Sequence, residues 1–212
     1  MSMIKFKNIY FNSLLNQTYN QNLKKYGFTP YGLFWTSKKS QYSRFDIIYQ
    51  LLKKTIKNNI KIEIADIGCG YASFLNFLNH KKDDFTYSGY DINEKLIHYC
   101  KKKYPSNYFD CSYFPKRMTD VTIISGTYNY AVTDNLENWE EYVFFNIKKC
   151  FSQSRKALIF NLQYTKKNSY IQNKIYYANF QLTLSRLREE FEKVTFFHSI
   201  KSIRDIYFTI LR

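Results

Sequence analysis

The chain has 212 residues, 45% of them hydrophobic and 20% aromatic, which is enough for one substantial core, so a single compact domain is expected. Its 32 Lys and Arg against 17 Asp and Glu give a net charge of +15, but the lysines are dispersed, in pairs beginning at Lys24, Lys38, Lys53 and Lys148, with no basic tail or RNA-stacking aromatic motif, so nucleic acid is disfavoured as a partner. No run approaches the about 18 apolar residues of a membrane span, and "MSMIKFKNIYFNSLLNQ" is too broken by Lys and Asn for a signal peptide, which excludes a membrane partner and points to the cytoplasm.

Residues 1–60 read as a helical lid or cap segment. Tyr31, Phe34 and Trp35 are placed there to form either a lid or N-terminal core. Ser40 is a candidate cap for a helix on which Gln41, Arg44 and Phe45 share a face. From residue 61 to 212 the pattern is that of a compact core. Residues 62–67 alternate and then turn apolar, as a first strand, and 71–78 carry Phe74, Leu75 and Leu78 at helical spacing. A second strand, "TYSGYDI", ends at Asp91, and Asn93 caps "NEKLIHYCKKKY", whose lysines fall at the helix C-terminus. A short strand near Tyr108 and Phe109 precedes a fourth over 120–126, then the helix "ENWEEYVFFNIKKCF" and a fifth strand over 156–163. Residues 164–178, polar and tyrosine-rich, are an insertion on the substrate side. "KVTFFHSI" and "DIYFTILR" lie too close together for a crossover helix, so they form an antiparallel pair. The alternation predicts an α/β fold, a doubly wound, mostly parallel sheet with helices on both faces and a C-terminal antiparallel hairpin.

Chemistry concentrates in "KIEIADIGCGYASFLNFL". Gly68 and Gly70, at a strand-to-helix turn, let the chain turn sharply and bring backbone N–H groups close to a ligand. Asp91 follows 21 residues after Gly70, at the end of the second strand, where a carboxylate accepts the hydroxyls of a ribose. Glycines and aspartate together indicate a nucleoside site. A dinucleotide fingerprint would require glycine at position 73, where the chain has Ser73, so that fingerprint fails. Cys69, Cys100, Cys111 and Cys150 and the three histidines have neither disulfide nor metal spacing, and no metal is expected.

"DIGCGYASF" resembles the first motif of the class I S-adenosylmethionine-dependent methyltransferases, a family with a Rossmann-like, seven-stranded sheet. The resemblance extends over roughly 63–212, and the segment from Gly27 resembles the start of the family's small stand-alone members. It departs at Ala72, a position often held by glycine, where alanine is expected to fit.

The resemblance implies a methyl group transferred from S-adenosylmethionine to an oxygen or nitrogen of a small molecule by in-line displacement, leaving S-adenosylhomocysteine. By it, Asp66 holds the methionine amino end, Gly68, Cys69 and Gly70 line the methionine and ribose, and Asp91 binds the ribose. Ile92 packs on the purine, with Asp110 or Cys111 beside it; equally, Ile92 is core and Asp110 an Asx turn. Gln41 and Arg44 are cofactor-side residues, Arg44 taking the methionine carboxylate or a substrate anion through its planar fork. Ser125 and Gly126 end the fourth strand at the cofactor. In the loop "GTYNYAVTDN", Tyr128, Asn129 and Asp134 are the catalytic-side residues. The proline-containing tetrad of base-amino methyltransferases is missing from that strand, which disfavours exocyclic base methylation. An RNA methyltransferase and a non-catalytic S-adenosylmethionine-binding scaffold are the alternatives.

Overall fold

A computed structural model describes residues 3–56, 61–81, 83–200 and 203–212. Two helices, α1 (Met3–Tyr26) and α2 (Lys38–Thr55), precede β1 (Ile62–Ile67), with a 3-10 turn at Tyr31–Leu33 between them. There follow α3 (Ser73–Leu78), β2 (Phe85–Asp91), α4 (Glu94–Lys103), β3 (Tyr108–Cys111), β4 (Thr119–Ile124), α5 (Leu136–Ser152) and β5 (Ser154–Thr165). The chain closes with β6 (Tyr170–Gln172), β7 (Ile175–Asn179), α6 (Phe180–Glu190), β8 (Lys193–His198) and β9 (Asp205–Leu211).

Strands β3, β2, β1, β4 and β5 lie side by side, all parallel. β9 runs antiparallel to β5, and β8 antiparallel to β9, which is the C-terminal hairpin that the short spacer requires. Two further strands bring the described sheet to nine, correcting the expected seven. They come from the insertion after β5: β6 and β7 form a hairpin, and β7 pairs parallel with the end of β5 at Tyr164↔Ala178 and Thr165↔Asn179. Its turn places Asn173 (φ 50°) and Lys174 (φ 64°) in the left-handed region that a two-residue hairpin needs. Strands this short and polar carry little periodicity, which is why the sequence shows only an insertion.

The period of two divides the core. On β1, Ile62 and Ile64 face one layer with Phe45, Ile48 and Leu52 of α2 and Phe74 of α3, while Ala65 and Ile67 face the other with Trp139, Val143 and Ile147 of α5. Being covered on both faces, β4 is buried at every residue.

α1 is held differently. Asn8, Asn12, Asn16 and Asn20 repeat at i, i+4 beside the buried Phe11, Leu15 and Leu23, so a row of buried and half-buried amides runs alongside its apolar stripe. Asn8 donates to Asn146 Oδ1 (3.1 Å), Asn12 Oδ1 accepts from Tyr142 (2.7 Å), and Asn16 donates to the Ile92 carbonyl (3.3 Å). Asn93 Nδ2 donates back to Asn16 Oδ1 (2.8 Å) and Asn20 Oδ1 (3.1 Å), fixing α1 over the end of β2. α2 is capped by Ser37, whose hydroxyl accepts from Ser40 N–H, so Ser40 lies inside the helix that it was expected to cap. No helix among the described residues is long and apolar enough to cross a membrane.

Candidate active site

Strand order reverses between β1 and β4, and the carboxyl ends of parallel strands at such a switch point open into a crevice. Here such a crevice opens, with about 710 Å³ of empty space when its open mouth is counted. Its floor is the turn after β1. Gly68 (φ 69°) and Gly70 (φ 56°) take left-handed conformations, and the N–H groups of Gly68 and Cys69 donate to the Tyr90 carbonyl on β2 (2.8 and 3.1 Å). Ala72 (φ 60°) also lies in the left-handed region, so its departure from glycine is felt in the backbone rather than in space.

Asp91 is bound to this turn. Its Oδ2 accepts from the Gly70 N–H and its Oδ1 from the Asn93 N–H, both at 2.9 Å, so the carboxylate is oriented from two sides with a lone pair left on each oxygen. Burial pushes its carboxyl up to about 6, with those N–H bonds working against the rise. Asp66, on β1, is buried too and pushed up to about 7 by burial, against the Tyr87 hydroxyl that donates to its Oδ2 at 2.6 Å. Among the described residues neither carboxylate has an ion-pair partner. Two buried, unpaired carboxylates beside a cavity make a site that favours a cation.

Of the residues singled out in sequence, Gly68, Gly70, Asp91, Ile92, Ser125, Gly126 and Tyr128 line the crevice. The Ser125 hydroxyl is buried with no hydrogen-bond partner among the described residues, an unmet demand that a ligand would fill. Tyr128 is buried, and burial raises its hydroxyl well above the ordinary tyrosine range, so it stays protonated. Asp66 and Cys69 sit behind the glycine turn rather than on the cavity wall. Beside β3 the wall is formed by Ser112 and Tyr113, the residues directly after Asp110 and Cys111.

The remaining candidates make other contacts. Gln41 Oε1 accepts from Tyr71 (3.2 Å) and Ser73 (2.8 Å), joining α2 to the start of α3. Arg44 Nε donates to Asp205 Oδ2 at 2.8 Å. Asn129 Oδ1 accepts from the Gln163 N–H (2.9 Å), bracing the loop after β4 against β5. Asp134 is exposed and paired with Lys174 at 2.9 Å.

The upper wall includes residues that no motif marks: Leu15 and Tyr19 from α1, Leu33 before α2, and Tyr142 from α5, together with Trp35. Tyr19 packs edge-on against Phe34 (5.3 Å), which stacks on Tyr130 of the loop after β4 (4.5 Å, 16°). Leu15, Tyr19, Leu33 and Trp35 of the N-terminal segment therefore form part of the crevice wall. Only the i, i+4 spacing of Leu15 and Tyr19 hinted at a shared helix face.

Residues 37–134 match the methyltransferase small domain family. A Mycobacterium tuberculosis protein provisionally named as a methyltransferase is 23% identical over 55% of this chain and 72% of its own length. A Leishmania major S-adenosylmethionine-dependent methyltransferase has a TM-score of 0.65 at 12% identity, over 92% of this chain and 82% of that one. The plantazolicin methyltransferase in complex with S-adenosylhomocysteine has a TM-score of 0.61 at 14% identity, over 100% of both chains.

Proposed function

We propose that this chain, which has the fold of the class I S-adenosylmethionine-dependent methyltransferases and matches the methyltransferase small domain family over residues 37–134, methylates an oxygen or nitrogen atom of a small molecule in the cytoplasm. The observation that carries the site assignment is the pair of buried carboxylates, Asp66 and Asp91, on either side of the glycine turn. Asp91 keeps a free lone pair on each oxygen for the two ribose hydroxyls, and the turn at Gly68 and Gly70 leaves no side chain between backbone and ligand. Asp66 supplies negative charge beneath the turn for the methionine ammonium. Ser112 and Tyr113, with Ile92, flank the purine. The unmet Ser125 hydroxyl and Gly126 face the methionine portion. Residues 1–60 act as a cap over the core of 61–212.

When bound, S-adenosylmethionine supplies an electrophilic methyl group on a sulfonium. The protein's part is to hold an acceptor lone pair in line with that methyl and to exclude water, and such positioning is worth about 7–11 kcal/mol of barrier. Tyr128 is the proposed acceptor-side residue, its protonated hydroxyl fixed by burial. Tyr19 and Trp35 add aromatic rings to the crevice wall, a lining compatible with a cationic ligand. Asn129 contributes by holding the loop in place, and Asp134 lies at its exposed end. A crevice walled in part by the N-terminal segment supports a small acceptor, and the plantazolicin methyltransferase is named for a single compound. The test is to incubate the protein with methyl-labelled S-adenosylmethionine, a metabolite extract and total RNA, then to fractionate. Label is expected in a small-molecule fraction; label confined to RNA contradicts the substrate class.

A further inference from the structure

A continuous line of contacts joins the lid to the loop after β4 through residues from separate elements. Trp35 lies against Gly126, so that a Cβ built there would be 3.4 Å from the indole. The Arg44 guanidinium stacks over the Trp35 ring, 4.7 Å from its centroid, and its Nε donates to Asp205 Oδ2 at 2.8 Å. Asp205 Oδ1 accepts from Asn161 Nδ2 (2.9 Å), and Asn161 Oδ1 accepts from the Gly126 N–H (2.8 Å), which returns the line to its start. Asp205 and Asn161 are 2% and 1% exposed. Both ends, Trp35 and Gly126, line the crevice.

This ring is not needed to hold the strands. β5 and β9 are already paired over the register from Ala157↔Leu211 to Gln163↔Asp205. A buried ion pair is a costly way to add stability, because desolvating two charges offsets most of their attraction. What it adds is direction, since charge-assisted bonds are short and a guanidinium plane on an indole fixes the ring's tilt.

We propose that Asp205 is a positioning residue: through Arg44 it holds Trp35 over the crevice, and through Asn161 it sets Gly126, so that lid and acceptor loop are placed as one unit. The proposal uses the cofactor reading only in the choice of probe. The chain has two tryptophans, and Trp139 is fully buried, so acrylamide quenching reports Trp35. Asp205→Asn keeps the size and the acceptor for Asn161 but loses the charge that holds Arg44. Expected are a Trp35 quenching constant raised about twofold or more in the free protein, and S-adenosylhomocysteine dissociation faster by about 3- to 10-fold, as for loss of a partly desolvated cation–π contact. Asp205→Glu should restore part of both. Should Asp205→Asn not fold, Arg44→Gln carries the same measurements, since its amide still donates to Asp205 but no longer plates the indole with charge. A lowered melting temperature with wild-type quenching and dissociation would overturn the proposal. Failure of the wild type to bind S-adenosylhomocysteine would instead overturn the cofactor reading, and the quenching of the free protein would still decide the role of Asp205.

Discussion

Replacing Asp91 with asparagine tests the ribose site most sharply, because its surroundings define what is lost. The carboxylate accepts one backbone N–H on each oxygen at 2.9 Å and has one lone pair per oxygen left for a ligand. Asparagine keeps one acceptor, so one of the Gly70 and Asn93 N–H groups and one ribose hydroxyl lose a partner. A charge-assisted hydrogen bond contributes about 1.5–3 kcal/mol, which converts to a fall in S-adenosylhomocysteine affinity of about 10- to 150-fold. The pH dependence separates this from a general loosening. The native carboxyl, at about 6, holds its proton more tightly than the unfolded chain at 3.8, so its contribution to folding stability falls as pH rises between those values. Cofactor binding requires the carboxylate and has the opposite sign, strengthening as pH rises through about 6. Calorimetric titration from pH 5 to 8 should show that rise in the wild type, with a further part near 7 from Asp66, and only the Asp66 part in Asp91→Asn. Equal affinity in the two proteins, or an unchanged pH profile, would refute the ribose assignment and leave Asp91 as a brace for the glycine turn.

Gly68→Ala forces a side chain into φ 69° with its Cβ 2.4 Å from Thr127 Oγ1, whereas Gly27→Ala, at φ 65°, meets nothing within 4 Å. The second should cost about 1 kcal/mol of conformational strain and the first clearly more, with a melting-temperature drop of about 2–4 °C per kcal/mol. Tyr128→Phe should retain S-adenosylhomocysteine affinity within a few-fold and lose methyl transfer to the acceptor found by labelling; a mutant that loses cofactor but turns over normally at saturation would move Tyr128 to the cofactor side. Asn129→Ala should leave the Gln163 N–H without its partner and destabilise the fold by about 1–3 kcal/mol in thermal denaturation. Filter binding to RNA at physiological salt should be weak and indifferent to sequence; tight, selective binding would contradict the small-molecule reading.

What could be read without the structure was the part governed by local periodicity. β1, β2, β4 and β5 are runs that reveal themselves by apolar content, and Asn93 as a cap follows from its place before "EKLIHYC". Gly68, Gly70 and Asp91 were legible because a sharp turn and a strand-end carboxylate have few chemical alternatives. α1 was obscured because much of its inward contact is made by a row of buried and half-buried asparagines beside Phe11, Leu15 and Leu23, so amides dilute the apolar signal on which such readings depend. Beside β3 the crevice wall begins just past Asp110 and Cys111, because β3 runs through Cys111 and Ser112 is the first residue after it. Arg44 illustrates the limit: its partner Asp205 is 161 residues away, and nothing local distinguishes a buried ion pair from a ligand-binding arginine.

The central claim is that the crevice between β1 and β4 binds S-adenosylmethionine, and isothermal titration of the full chain with S-adenosylhomocysteine and, separately, with NAD tests it directly. Saturable binding of the former at one per chain, with none of the latter, is predicted. NAD binding with no heat from S-adenosylhomocysteine would contradict the account.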